Sequence, residues 1–148
     1  KNYNCDILVW QNPIAPLIEI NDIHNTIKYF HENKLDTLFT VKREQSQCVF
    51  LNKPINFSMN GKFALTQDLE PVFSFNHSMM MWRTESFLES MKNFGHAFFS
   101  GKIGFFQVSK YSSLVVKYEE DFILADTLIE IKEKGFKPTY YKIEKDIK

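Results

Sequence analysis

The order of apolar runs in the chain predicts an α/β fold. Three features carry that prediction: a strand, helix, strand opening, a return to strands and helices after a differently patterned middle, and a last helix whose charges are sorted along its length. The opening run "DILVW", Asp6 to Trp10, is short, continuous and apolar, as a strand covered on both faces would be. It stops at an elbow built on Pro13 and Pro16. Each proline fixes its own φ and holds the preceding residue, Asn12 or Ala15, out of the helical region. In open α/β sheets ligands sit at the carboxyl ends of strands, so a stiff elbow there is a candidate site wall.

After the elbow, "EINDIHNTIKYFHENK" repeats Ile20, Ile23, Ile27 and Phe30 at spacings of three and four, which is one helical face. Asn21 is the expected N-cap, with Asp22 suited to the positive end of the helix dipole. "DTLFTVKR" then reads as a strand. The middle, "QCVFLNKPINFSMNGKFAL", holds short extended runs broken at Asn52 to Pro54 and at Asn60-Gly61, where a type I′ hairpin is expected. Residues 42–71 are therefore a candidate hairpin insertion and dimerisation arm. "VFSFNHSMMMWR" is strand-like, with its methionines read as core. Thr84 is the expected cap of a helix through "ESFLESMKNF", ended by Gly95. "KIGFFQV" is another strand, and "YEEDFILADTLIEIKEKG" is a helix, acidic at its start and basic before Gly135. The charged tail from Phe136 to Lys148 shows no clear period.

The 148 residues suit one domain, residues 1–148, with enough chain to bury a core. Because 18 basic and 18 acidic side chains cancel, no overall field favours nucleic acid or an anionic membrane. The 15 phenylalanines point to several buried strands or an interface beyond the core. Cys5 and Cys48 make neither a disulfide framework nor a CxxC metal site, so a cytoplasmic setting is expected. No apolar run is long enough to span a bilayer, and "KNYNCD" is not a signal peptide. A chain that opens on Lys and enters a strand within a few residues is expected to be a piece of a longer protein or a trimmed product.

Several motifs fail on their chemistry. His24 and His31 share a helix face, but no carboxylate or cysteine completes a metal site there. "GHAFFSGKIG" has its glycines one residue too far apart for a phosphate loop, and Ile103 stands where a magnesium-binding hydroxyl belongs, so it reads as a turn into a strand. There is no GxSxG elbow and no cysteine beside a histidine.

Three segments in order, "NPIAPLI" from Asn12, "TQDLEPVFSFNHSMMMW" from Thr66 and "LVVKYEEDFILAD" from Leu114, resemble the acylneuraminate cytidylyltransferase family, whose members make CMP-sialic acid and related CMP-sugars from CTP. The resemblance runs from about Asp6 to Ile131. It implies a Rossmann-like nucleotidyltransferase sheet whose N-terminal nucleotide-loop part is missing, with an inserted hairpin arm. It also implies an elbow that walls the active site, substrate contacts at Asn12, Lys42 (or Arg43), Gln67 and Asn76, CTP and an acidic sugar as ligands, and a homodimer.

The departures from the family pattern fall on the chemistry. The two aspartates that bind Mg²⁺ in the family align with Val115 and Lys117, the arginine after the elbow is Ile18, the one before Gln67 is Leu65, and the glycine after Asn76 is His77. No metal site is expected here, no residue is assigned a catalytic role, and Lys117 becomes a candidate phosphate contact. The expected function is part of a sugar nucleotidyltransferase with a degenerate metal site, or alternatively an inactive homologue that binds a nucleotide-sugar or only dimerises. Which sugar is taken is not legible, because specificity rests on pocket shape and a few hydrogen bonds.

Overall fold

The computed structural model describes residues 4–135. The expectation for the charged tail lies outside them. In chain order the elements are β1 (Ile7–Gln11), α1 (Ile20–Glu32), β2 (Thr37–Glu44), β3 (Val49–Phe50), β4 (Lys53–Pro54), a 3₁₀ turn (Thr66–Asp68), β5 (Val72–Arg83), α2 (Thr84–Phe94), β6 (Ile103–Gln107) and α3 (Glu119–Glu133).

Four strands form one mixed sheet in the order β1-β5-β2-β6. β2 and β6 are parallel, and β5 runs antiparallel to both β1 and β2. The β1-α1-β2 unit thus joins two strands of the same direction that are next-but-one neighbours, with the long β5 filling the gap. Among the described residues the fold is α/β with three α-helices, compatible with a Rossmann-like arrangement. β1 departs from the reading of a strand covered on both faces. Among the described residues it lies at the sheet edge, and Val9 and Trp10 stay 52% and 46% exposed.

The core has two sides because successive strand residues face opposite ways. On one side Leu38, Met79 and Met81 pack with Phe30, Ile23 and Ile27 of α1. On the other, Phe39, Met80 and Trp82 meet Phe87 of α2. Met79, Met80 and Met81 are each 1% exposed, so the methionine run is core, as its strand context predicted. Phe39 is ringed by Phe75, Phe98 and Phe99 at centroid distances of 5.2, 5.5 and 5.1 Å, an arrangement that suits aromatic edges and faces. Phe99 remains largely exposed, so part of this aromatic surface is open.

Two helix starts differ from expectation for physical reasons. α1 begins at Ile20, with extended Glu19 in the cap position, and the Glu19 N–H donates to Ser112 Oγ at 2.9 Å. A tertiary bond, rather than Asn21, fixes the entry of the helix. α2 begins at Thr84 itself, whose N–H donates to the Asp6 carbonyl at 2.9 Å. Gly95 ends α2 at φ +74°, the left-handed geometry expected of a helix-stopping glycine.

The middle hairpin is also displaced. β3 and β4 pair through a two-residue turn at Leu51 and Asn52, with φ of +48° and +63°, which is the type I′ signature. Asn60-Gly61 lies in an exposed turn that joins no paired strands. Beyond the β2–β5 ladder, which ends at the Glu44–Val72 pair, the base of the insertion is held by side-chain amides. Gln45 Nε2 donates to the carbonyls of Thr66 and Leu69 at 2.9 and 2.7 Å, and Asn56 Nδ2 donates to those of Ser46 and Glu70 at 2.9 and 2.8 Å. "GHAFFSGKIG" is a turn into β6, as expected, with Gly101 at φ +58° packed against Asp36. Among the described residues no helix is long and apolar enough to cross a membrane.

Candidate binding cleft

β1, β2 and β6 all point one way, so their carboxyl ends share one edge of the sheet, where α/β folds place ligands. A cleft opens there. Two adjoining cavities of about 470 and 490 Å³ share Lys42, Arg43, Gln45, Lys110 and Ser113. A third recess of about 330 Å³ shares Lys42 and Ser113 with them and continues along Asn76, Val115, Lys117 and Tyr118.

The wall on the β5 side is a large bulge. Phe39 pairs with Met80 and Val41 with Phe75, so Thr40 alone opposes the four residues from Asn76 to Met79. Polar side chains replace the interrupted ladder. The Thr40 hydroxyl lies 2.7 Å from Asn76 Oδ1 and 2.9 Å from the Met79 carbonyl, sharing one proton between two acceptors, and it accepts the Met79 N–H at 3.0 Å. His77, on the bulge, has φ +56°, a conformation disfavoured for any residue but glycine. Bulges and strained backbone of this kind cluster beside functional sites.

The opposite wall is the segment from Val108 to Lys117, fixed by α1 and the elbow. Asp22 Oδ2 accepts the Ser109 N–H at 3.0 Å, and the Val116 N–H donates to the Ile14 carbonyl at 2.8 Å. Burial pushes the Asp22 carboxyl up, but hydrogen bonds from the Ser112 and Ser109 hydroxyls and the Ser109 N–H outweigh it and hold the group below its ordinary value. At the start of α3, Asp121 Oδ2 accepts the N–H groups of Lys117 and Tyr118 at 2.9 and 3.1 Å.

Polar groups around the cleft are left unsatisfied. Two buried side-chain atoms lack a hydrogen-bond partner among the described residues, Gln45 Oε1 and Asn76 Nδ2, and both belong to residues that line the cleft. Lys42 is paired with Glu44 at 2.8 Å, whereas Arg43, Lys110 and Lys117 form no ion pair among the described residues. The cleft therefore has an excess of cationic side chains, with one unpartnered donor and one unpartnered acceptor buried in residues of its wall, a set suited to an anion.

Of the residues named from sequence, Lys42 borders all three cavities, Gln67 the first, and Asn76 and Lys117 the third. Asn12 is placed differently. Its N–H donates to the Ser78 carbonyl at 2.9 Å and its Oδ1 accepts the Ile14 N–H at 3.3 Å, so it shapes the elbow beside the bulge and lines none of the three cavities. Gln45, Gln107, Ser109 and Lys110 were missed. The signal for the last three is positional: "QVSK" follows directly on the apolar run of β6, at the strand's carboxyl end.

A divalent metal does not fit this set of side chains. Val115 offers no ligand atom and Lys117 brings a positive charge, while Asp121 Oδ2 accepts two backbone N–H groups and Glu44 is paired with Lys42. Among the described residues no three His, Cys, Asp or Glu side chains gather as a metal centre. No protein-family model matches the chain, and no curated protein matches it significantly.

Proposed function

We propose that the chain is the substrate-binding part of a sugar nucleotidyltransferase of the CMP-sialic acid synthetase type, and that its cleft binds an acidic sugar and the nucleotide joined to it. The observation that carries this reading is convergence: Lys42, Gln67, Asn76 and Lys117, named from separate stretches of sequence, border one continuous cleft at the carboxyl ends of β2 and β6. A second observation supports it. The family resemblance puts a glycine at position 77, and the backbone at His77 adopts the left-handed geometry that favours glycine.

The chain's own residues supply binding and orientation. Lys42, Arg43 and Lys110 attract carboxylate or phosphate, while the Asn76 amide and the Gln45 carbonyl present hydrogen-bonding atoms to the polyol. In the family reaction CTP and the acidic sugar yield CMP-sugar and pyrophosphate. The misfit to Mg²⁺ favours a domain that binds these ligands without transforming them.

Thermal unfolding with N-acetylneuraminate, CMP and CTP tests the reading. Each ligand that binds the folded state raises Tm, by an amount set by its concentration relative to Kd. Lys42→Ala is expected to reduce the shift, and the absence of a shift with all three ligands would overturn the proposal.

The insertion favours a homodimer as part of the same reading. Phe50, Leu51, Met59 and Phe63 on residues 42–71 are 66%, 78%, 70% and 84% exposed, an apolar surface that a second copy would cover. Light scattering of Phe50→Ser/Phe63→Ser is expected to show monomer where the parent chain is dimeric.

A further inference from the structure

Within the reading of an anion-binding cleft, on which this inference rests, we propose that the ligand is held by ammonium and guanidinium groups without a divalent cation, and that Lys117 supplies the positive charge at the α3 end. Two independent observations point there. The first is the balance of charge: each cleft carboxylate has one oxygen engaged, Asp121 Oδ2 by the N–H groups of Lys117 and Tyr118 and Glu44 Oε1 by the Lys42 ammonium, whereas Lys117, Lys110 and Arg43 have no ion-pair partner among the described residues, so cations outnumber carboxylates. Mg²⁺ demands several hard oxygen ligands in near-octahedral order, and an ammonium group beside it opposes binding. The second observation is Asn76, 7% exposed, whose Nδ2 has no acceptor. It lies in the same recess as Lys117 and Val115.

A buried amide donor without a partner is costly, and an anionic oxygen is the complement it lacks. The Val115 side chain offers no ligand atom at all. The recess thus presents donors and cations to one acceptor-rich group, a carboxylate or a phosphate, while its two carboxylates, Glu44 and Asp121, are bound to an ammonium and to backbone N–H groups. Binding governed by side-chain charge also weakens as salt rises.

Calorimetry tests this with two probes that separate the sources of the anion: N-acetylneuraminate for a carboxylate and CMP for a phosphate. At least one probe should bind with the same Kd in EDTA and in excess MgCl₂. Lys117→Ala, an exposed substitution checked for folding by circular dichroism, should weaken that probe by about tenfold, the order expected for loss of one charge-assisted contact. Conversely, Val115→Asp/Lys117→Asp should gain Mn²⁺ binding, read by electron paramagnetic resonance, that the parent chain lacks. Binding only in the presence of Mg²⁺, or Mn²⁺ binding by the parent chain, would overturn the inference and leave the proposed function standing. Metal-independent binding that Lys117→Ala leaves unchanged would also overturn it. Failure of both probes in both buffers would overturn the proposed function, and this inference with it.

Discussion

The two ends of the sheet use the same kinds of side chain to opposite effect. At the amino end of β2, Asp36 accepts the Lys102 N–H at 2.8 Å and the Ser86 hydroxyl at 2.8 Å, and it pairs with Arg83 Nε at 3.3 Å. The Arg83 side chain also donates to the Leu35 carbonyl at 3.3 Å, and Lys102 Nζ donates to that of Asn33 at 2.8 Å. Each polar group there has a partner. At the carboxyl end the bulge strains His77, Asn76 Nδ2 and Gln45 Oε1 are orphaned, and three cations stand unpaired among the described residues. A satisfied network fastens a fold, whereas an unsatisfied one at a strand end is what a ligand completes.

The largest expected effect comes from breaking the closed end. Asp36→Ala leaves the Lys102 N–H and the Ser86 hydroxyl without their acceptor and Arg83 without its ion-pair partner, and should cost about 2 kcal/mol in urea unfolding. Ligand-induced shifts at the other end should persist in this variant. Equal loss of both would mean that the two ends are not separable.

Acid probes both ends together. The Lys102 N–H, which outweighs burial, together with Ser86 and Arg83, holds Asp36 below its ordinary 3.8, and Asp22 is lowered as well. A carboxylate lowered in the folded state stabilises it above the unfolded pKa, and that stability is lost as pH falls through the folded pKa. Stability should therefore decline as pH falls through the unfolded value of 3.8 and on through the lower folded values. Asp36→Asn and Asp22→Asn should each flatten part of that decline in acid titrations followed by circular dichroism.

The smallest effect sharpens the contrast by relieving strain. His77→Gly removes a left-handed penalty of about 1 kcal/mol, partly offset by the greater freedom of glycine in the unfolded chain, so a gain of roughly 0.5 kcal/mol is expected. His77→Ala, which keeps the strained geometry, should show no gain.

Much of the fold is legible because it rests on local pattern: the helical spacing from Ile20 to Phe30, the continuous apolar strands, and Gly95 as a stop. What sequence does not show is the partner of each edge. β5 lies between β1 and β2 through its pairing with distant residues, and the bulge at Thr40 is invisible to a strand pattern that reads "VFSFNHSMMMWR" as continuous. The I′ turn formed at Leu51 and Asn52 because the two strands could pair there, whereas Asn60-Gly61 has the better local chemistry but no paired strands to join. In the cleft, Lys42, Gln67, Asn76 and Lys117 are lining residues that had been named from sequence. Lys110 and Gln45 had not, since the position of Lys110 after β6 is a signal only once β6 is known to lie beside β2, and Gln45 acts by tying down the insertion.

That tie also makes the insertion an engineering handle. Gln45 and Asn56 clamp its base to backbone carbonyls and Gln47 Nε2 donates to the Ala64 carbonyl, while Met59 to Phe63 form an exposed tip. Exposed tips of this kind accept inserted sequence readily. A fluorophore or affinity peptide placed between Asn60 and Gly61 would report on the arm from outside while the clamp holds the chain at the cleft in place.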